Sequence, residues 1–187
     1  MKNTLIFLGI MLIISLSCKA QIIAVEDFPD YNKDLEDGAY IKDINNVLDK
    51  YTGTWAGHQN DTIYQFVVDK YTDIDERLKY THDRLIIKYK ITNSDGEVIE
   101  DTTNLPDEST LVMFGRYLSK QGQYVLYYQG SNSDCGQNGD VFLSVLDRNS
   151  NKMNLSLSVD GEVWFDCTTG PAEQVLPTGK GIILTKQ

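Results

Sequence analysis

Hydrophobic residues recur at every second position over most of this chain. Tyr64, Phe66 and Val68 alternate with Gln65 and Asp69; Leu85, Ile87, Tyr89 and Ile91 alternate with Lys88, Lys90 and Thr92; Met153, Leu155, Leu157 and Val159 alternate with Asn154, Ser156, Ser158 and Asp160. A period of two puts one face of a strand on a core and the other in water, which predicts half-buried antiparallel strands. Between them stand residues that tolerate tight or left-handed backbone: Asn60-Asp61, Asn93 to Gly96, Lys120 to Gly122, Asn149 to Lys152 and Asp160-Gly161. The segments 53–59, 62–69, 84–92, 97–100, 110–118, 123–130, 140–146, 153–159, 162–166 and 181–185 are the expected strands. Short strands joined by hairpins predict a mainly β fold, an antiparallel barrel of about eight to ten strands. Leu111 to Tyr117, Tyr124 to Tyr128 and Val141 to Leu146 are apolar on both faces, so something is expected to cover their outer side. The candidates are a short helix or the long Tyr71 to Asp83 connection, or else a partner protein or a membrane surface.

The period changes once. Tyr40, Ile41, Ile44, Val47, Leu48 and Tyr51 recur at spacings of three and four, with Lys42, Asp43, Asn45, Asn46, Asp49 and Lys50 on the other side, which predicts one short amphipathic helix over 40–51. It leads into Gly53-Thr54-Trp55, and a helix followed by Gly-x-Trp on the first strand resembles the opening of lipocalin-like barrels. That resemblance implies that Trp55 closes the barrel floor and that a basic residue beside the last strand, Lys180 or Lys186, stacks over the indole. Tyrosine is in surplus, eleven in all. In a barrel open at one end Tyr64, Tyr89, Tyr117 and Tyr128 are expected to face a ligand cavity; in a filled one they are core.

The N-terminus reads as an address. Lys2, the apolar run Leu5 to Leu16 and a small residue before Cys18 make a signal peptide over 1–17, with Cys18 as a lipid-attachment site. Ala20 before Gln21 offers a second cleavage position. About 20 apolar residues are needed to span a bilayer, and this run is shorter. Residues 18–38, acidic and broken by Pro29 and Gly38, are expected to be an anchor and flexible tether, and 39–187 a single barrel domain. Cys135 and Cys167 then form an even pair in polar surroundings, as expected of a disulfide in an oxidising compartment. The chain without its signal carries a net charge of −11, 16 basic residues against 27 acidic ones. That sign repels phosphate backbones and excludes nucleic acid as an expected partner.

Catalytic chemistry is sparse. His58 and His82 belong to no pair with metal-ligand spacing and are expected on the surface. Asp147 to Asn151 alternates oxygen donors as a calcium loop does, but Lys152 stands where the loop needs glycine and Ser158 where it needs a bidentate glutamate, so it reads as a turn. Asp73, Asp75 and Glu76 read as solvated. There is no Gly-x-Ser-x-Gly elbow and no glycine-rich phosphate loop. No enzyme, cofactor or metal site is expected, and a hydrolase ranks last among the readings.

The signal ending Ser17 to Gln21, the Asp43 to Trp55 segment, the Asp134-Cys135 loop before Val141 to Ser144, the Asn151 to Leu155 strand start and Asp166-Cys167 together resemble a family of small flavobacterial lipoproteins, a domain of unknown function. The resemblance implies export, a compact β-rich body and a cysteine pair, and no reaction. The expectation is a monomeric, lipid-anchored, periplasm-facing binding protein with a lipocalin-like cup for a small apolar or amphipathic ligand. The alternative is an interaction module of the inhibitor or immunity type whose partner is a basic protein.

Overall fold

A computed structural model describes residues 20–187; the signal stretch and Cys18 lie outside the described residues. Eleven strands form one sheet: β1 (Ile22–Ala24), β2 (Tyr40–Lys42), β3 (Gly53–Gln59), β4 (Thr62–Asp75), β5 (Tyr80–Asn93), β6 (Val98–Asp101), β7 (Met113–Leu118), β8 (Tyr124–Gln129), β9 (Asn138–Val145), β10 (Lys152–Val159) and β11 (Ile182–Lys186). Eight of them, β3, β4, β5 and β7 to β11, close into an antiparallel up-and-down barrel. β11 meets β3 through Thr185 opposite Ala56 and Lys186 opposite Trp55, and β5 meets β7 through Ile86 opposite Phe114 and Ile87 opposite Met113. Closure removes the unpaired edges that an open sheet would expose.

β5 organises the molecule. One side pairs with β4 over the whole length of both strands. The other side takes three partners in turn: β2 in parallel at Thr81 and His82, β7 at Ile86 and Ile87, and β6 from Lys90 to Thr92. Side chains bridge the gaps in this seam. The Leu85 N–H donates to the Tyr124 hydroxyl at 3.0 Å, and the Tyr89 N–H donates to Thr102 Oγ1 at 2.8 Å. Gly115 makes room for the first of these bridges, since any Cβ there would collide with the Tyr124 phenol.

Antiparallel pairing gives the barrel two distinct ends. The β3–β4 turn, the β5–β6 turn, the β8–β9 loop and the long β10–β11 loop lie at one end, here the upper, while the β6–β7 loop runs down the wall beside β5, where Asp107 pairs with Lys88. The turns after β4, β7 and β9 lie at the lower end. β1 and β2 run parallel to β5, so Ala20 joins the body at the lower end.

Several sequence expectations are corrected. No helix spans 40–51: Tyr40–Lys42 is β2, and only a 3-10 turn, Asp49–Tyr51, follows. Asp43, Asn45 and Asn46 compete for backbone hydrogen bonds and break the helix; Asp43 Oδ1 accepts from the Leu48 N–H at 3.4 Å, and Asn46 turns left-handed at φ 54°. Ile41, Leu48 and Tyr51 are fully buried by tertiary packing, while Ile44 is half exposed. Nor is 21–38 a free tether. β1 lies within it, Val25 is buried, and Phe28 packs on His82 with ring centroids 5.4 Å apart. The Tyr71 to Asp83 connection is the far half of the β4–β5 hairpin, and 162–166 is loop, not strand. His82 is buried in β5, not on the surface; His58 is exposed on β3.

Two of the two-sided strands, β7 and β8, are covered from within the chain. The 3-10 turn Phe28–Asp30 packs against β7, Tyr71 meets Phe114 edge to face at 5.7 Å, and the Arg116 guanidinium lies 4.8 Å from the centre of the Tyr127 ring. Leu146 remains half exposed.

Candidate functional site

The barrel interior is filled. Trp55, Phe66, Leu85, Ile87, Tyr89, Met113, Tyr128, Leu143, Leu155 and Leu184 are fully buried in one continuous cluster. Three of the four candidate tyrosines belong to it. Tyr64 stacks on Phe66, Phe66 tilts against Tyr89, and Tyr89 meets Tyr128 edge to face, with centroids 6.2 to 6.3 Å apart. Tyr117 is elsewhere, two-fifths exposed on the outer wall, because the bulge between Gly115 and Tyr117 turns it outward opposite Val125.

The inner tyrosines point their polar ends at the upper rim. The Tyr89 hydroxyl donates to Glu100 Oε2 at 2.8 Å, and the Ser131 N–H donates to Glu100 Oε1 at 3.4 Å, so β6 is pinned across the opening. Burial first, and then the neighbouring phenol and Glu100, push the Tyr89 hydroxyl well above the usual phenol range; burial does the same to Tyr128. The Tyr128 hydroxyl accepts or donates no hydrogen bond among the described residues. Gln174 Nε2 donates to the Gly136 carbonyl at 2.9 Å and leaves its own Oε1 buried without a partner. A cleft of about 220 Å3 lined by Thr62, Tyr64, Ile99, Glu173, Gln174 and Val175 lies at this rim.

Trp55 lies towards the opposite end, near the start of β3. It is fully buried, its Nε1 donates to the Tyr51 carbonyl at 2.7 Å, and Lys186 Nζ sits 5.3 Å from the ring centre. Of the two lysines expected over the indole, Lys186 is the one in place. Gly53 permits this: its φ is 116°, and a Cβ there would lie 2.8 Å from Lys186 Cε.

Cys135 and Cys167 are joined in a disulfide that ties the β8–β9 loop to the β10–β11 loop. The clamp is reinforced by backbone. The Trp164 N–H donates to the Asp134 carbonyl at 2.8 Å, the Cys167 N–H to the Trp164 carbonyl at 3.1 Å, and the Ala172 N–H to the Cys135 carbonyl at 2.8 Å. Between Gly161 and Cys167 this framework holds Val163, Trp164 and Phe165 out in solvent, 47%, 55% and 97% exposed.

Charge separates the two ends. The upper segments 60–61, 94–97, 130–137 and 160–181 contain Asp61, Asp95, Glu97, Asp134, Asp160, Glu162, Asp166 and Glu173, and one basic residue, Lys180, just before β11. Lower turns mix the signs, with Glu76, Arg77 and Lys79 after β4 and Asp147 and Arg148 after β9. The Asp147 turn is the hairpin expected of it: its Oδ1 accepts the N–H groups of Asn151 and Lys152 at 2.8 and 3.0 Å.

The exposed apolar tip, Val163-Trp164-Phe165, is the feature that the sequence pattern does not reveal, since it predicts a strand over 162–166. Its signal is the lack of alternation: three consecutive apolar residues between Glu162 and Asp166, next to a cysteine. No curated protein and no solved structure matches this chain. The profile of a family of unknown function (DUF6705) matches residues 1–187, and the chain belongs to that family.

Proposed function

We propose that this chain is an exported, lipid-anchored binding protein without catalytic chemistry, and that its upper end docks on a positively charged protein. The observation that carries the reading is the charge segregation, eight carboxylates against a single basic residue, Lys180, in the upper segments 60–61, 94–97, 130–137 and 160–181. A surface dominated by one sign steers an oppositely charged partner and rejects anionic ones. Ala20 joins the body at the other end, so an anchor at Cys18 holds the acidic end away from the membrane. Reversing charge at two upper acids, Asp95→Lys with Glu97→Lys, is expected to weaken capture of the envelope partner at low salt, and reversing Glu76 and Asp147 at the lower end is not. Equal effects from both ends would refute the assignment.

A second reading has its own support. The filled interior leaves no cup for an apolar ligand, but the cleft beside Tyr64 and Gln174 and the unpartnered Gln174 Oε1 favour a small amphipathic ligand at the rim. Native mass spectrometry of protein recovered from its own envelope tests this: a retained small-molecule mass that Gln174→Leu abolishes supports it, and the bare protein mass alone overturns it.

A further inference from the structure

We propose that Val163-Trp164-Phe165 is the anchor of the upper-end docking surface and seats in an apolar pocket of a protein whose pocket rim carries lysine and arginine. The inference rests on the docking reading above and names the residues and the partner chemistry. Phe165 is 97% exposed and Trp164 55%, although aromatic side chains of this size each bury roughly 150 to 250 Å2 when they find a partner. Such residues dominate the energy of protein interfaces when they enter a pocket.

The tip is built to stay out. A loose apolar loop would fold back onto the barrel; here the Cys135–Cys167 disulfide and the Trp164 to Asp134 backbone bond fix its base on the neighbouring loop. A loop ordered before contact loses less freedom on binding, so more of its burial appears as affinity.

Charge selects the occupant. Glu162 and Asp166 flank the three apolar residues directly, and Asp134 and Asp160 stand behind them. A basic rim satisfies these carboxylates. An anionic lipid surface repels them, and a second copy meeting tip to tip would set the same acids against one another.

The test uses the full chain in its own host, with p-benzoylphenylalanine in place of Phe165 in one strain and of Leu146, exposed at the lower end, in another. One protein is expected to crosslink from position 165 and not from 146. After its identification and purification, Phe165→Ala and Trp164→Ala are each expected to raise Kd at least about tenfold. Glu162→Lys with Asp166→Lys is expected to raise it by a similar factor at low salt and less at high salt. The proposal is overturned by the absence of a crosslink at 165, or by an interactor whose Kd ignores Phe165→Ala. It is equally overturned by Phe165-dependent flotation with phosphatidylcholine–phosphatidylglycerol vesicles, or by a dimer that Phe165→Ala dissolves. If the charge reversals weaken binding and the alanine variants do not, the tip fails and the docking end stands; if neither acts, both fail.

Discussion

Acid is expected to destabilise this protein through one imidazole before its carboxylates titrate. His82 is 3% exposed, wedged between the Phe28 and Tyr80 rings, with ring centroids 5.4 and 6.4 Å away. Burial, and then the Arg84 cation, lower its pKa from 6.5 to about 4, with Asp83 opposing. The folded protein therefore keeps His82 neutral where the unfolded chain already binds a proton. Stability is at its full value above the unfolded pKa of 6.5 and falls as the pH drops from there towards about 4, because the unfolded state gains protons that the native state refuses. With about 1.4 kcal/mol per pKa unit, the loss is roughly 2 kcal/mol at about pH 5 and about 3 kcal/mol at about pH 4. Urea unfolding of wild type and His82→Gln across this range measures it: the wild-type curve is expected to slope and the variant curve to be flatter by that amount. Parallel curves, or an imidazole resonance that titrates near its ordinary value, would refute the reasoning.

Four further outcomes follow from the same geometry. Replacing Cys135 and Cys167 by serine opens a loop of sequence separation 32 and is expected to cost about 3 to 4 kcal/mol in urea unfolding; a loss below about 1 kcal/mol would mean that the loops hold each other without the bond. Lys186→Met is expected to cost about 0.5 to 1 kcal/mol and to shift Trp55 emission, whereas Gly53→Ala costs more because alanine resists a φ of 116°. Tyr89→Phe removes the bond to Glu100 and is expected to destabilise by about 1.5 to 3 kcal/mol, while Tyr128→Phe, which deletes a hydroxyl with no bond, leaves the melting temperature unchanged or higher. The depressed pKa of Asp83 comes from the Asp43 N–H and the Tyr40 and Thr72 hydroxyls, which together outweigh its burial. Its stabilisation is present above the ordinary carboxylate range and is lost as pH falls through the lowered value, so Asp83→Asn is expected to flatten the acid limb below about pH 4.

Strands that bury one face were legible in the sequence because their period survives any tertiary context. The 53–59 segment coincides with β3, and those starting at 62 and 153 agree with β4 and β10 to within a residue at that end. What failed is what period cannot encode. The β4–β5 hairpin runs on past Val68 into Asp69-Lys70-Tyr71-Thr72, where neither face repeats, since Lys70 pairs with Asp43 and Tyr71 packs on Phe114. Ile41, Leu48 and Tyr51 mimic a helix because each is buried separately, against β5, the floor and the β7–β8 turn. At the candidate site the period of two puts Tyr64 and Tyr89 on the inner face of their strands, but Tyr128 sits in a strand apolar on both faces, and the bulge that turns out Tyr117 is set by the pairing of β7 with β8 and has no mark in the sequence. The aromatic tip is hidden from the sequence for a related reason: a run of apolar residues predicts burial, and only the loop framework keeps this one outside.

The parallel pairing of β1 and β2 with β5 also decides how the body responds to force. β1 runs from the lower end upward, so a pull on Ala20 away from the barrel acts along the strand. The hydrogen bonds that resist it, from the Tyr40 N–H to the Gln21 carbonyl and from the Val25 N–H to the Lys42 carbonyl, lie across the pull. They are strained together, in shear, instead of opening one after another as a zipper would. A pull on Ala20 is thus met by the β1–β2 bonds together and passed through β2 into β5, the barrel strand with the longest pairing.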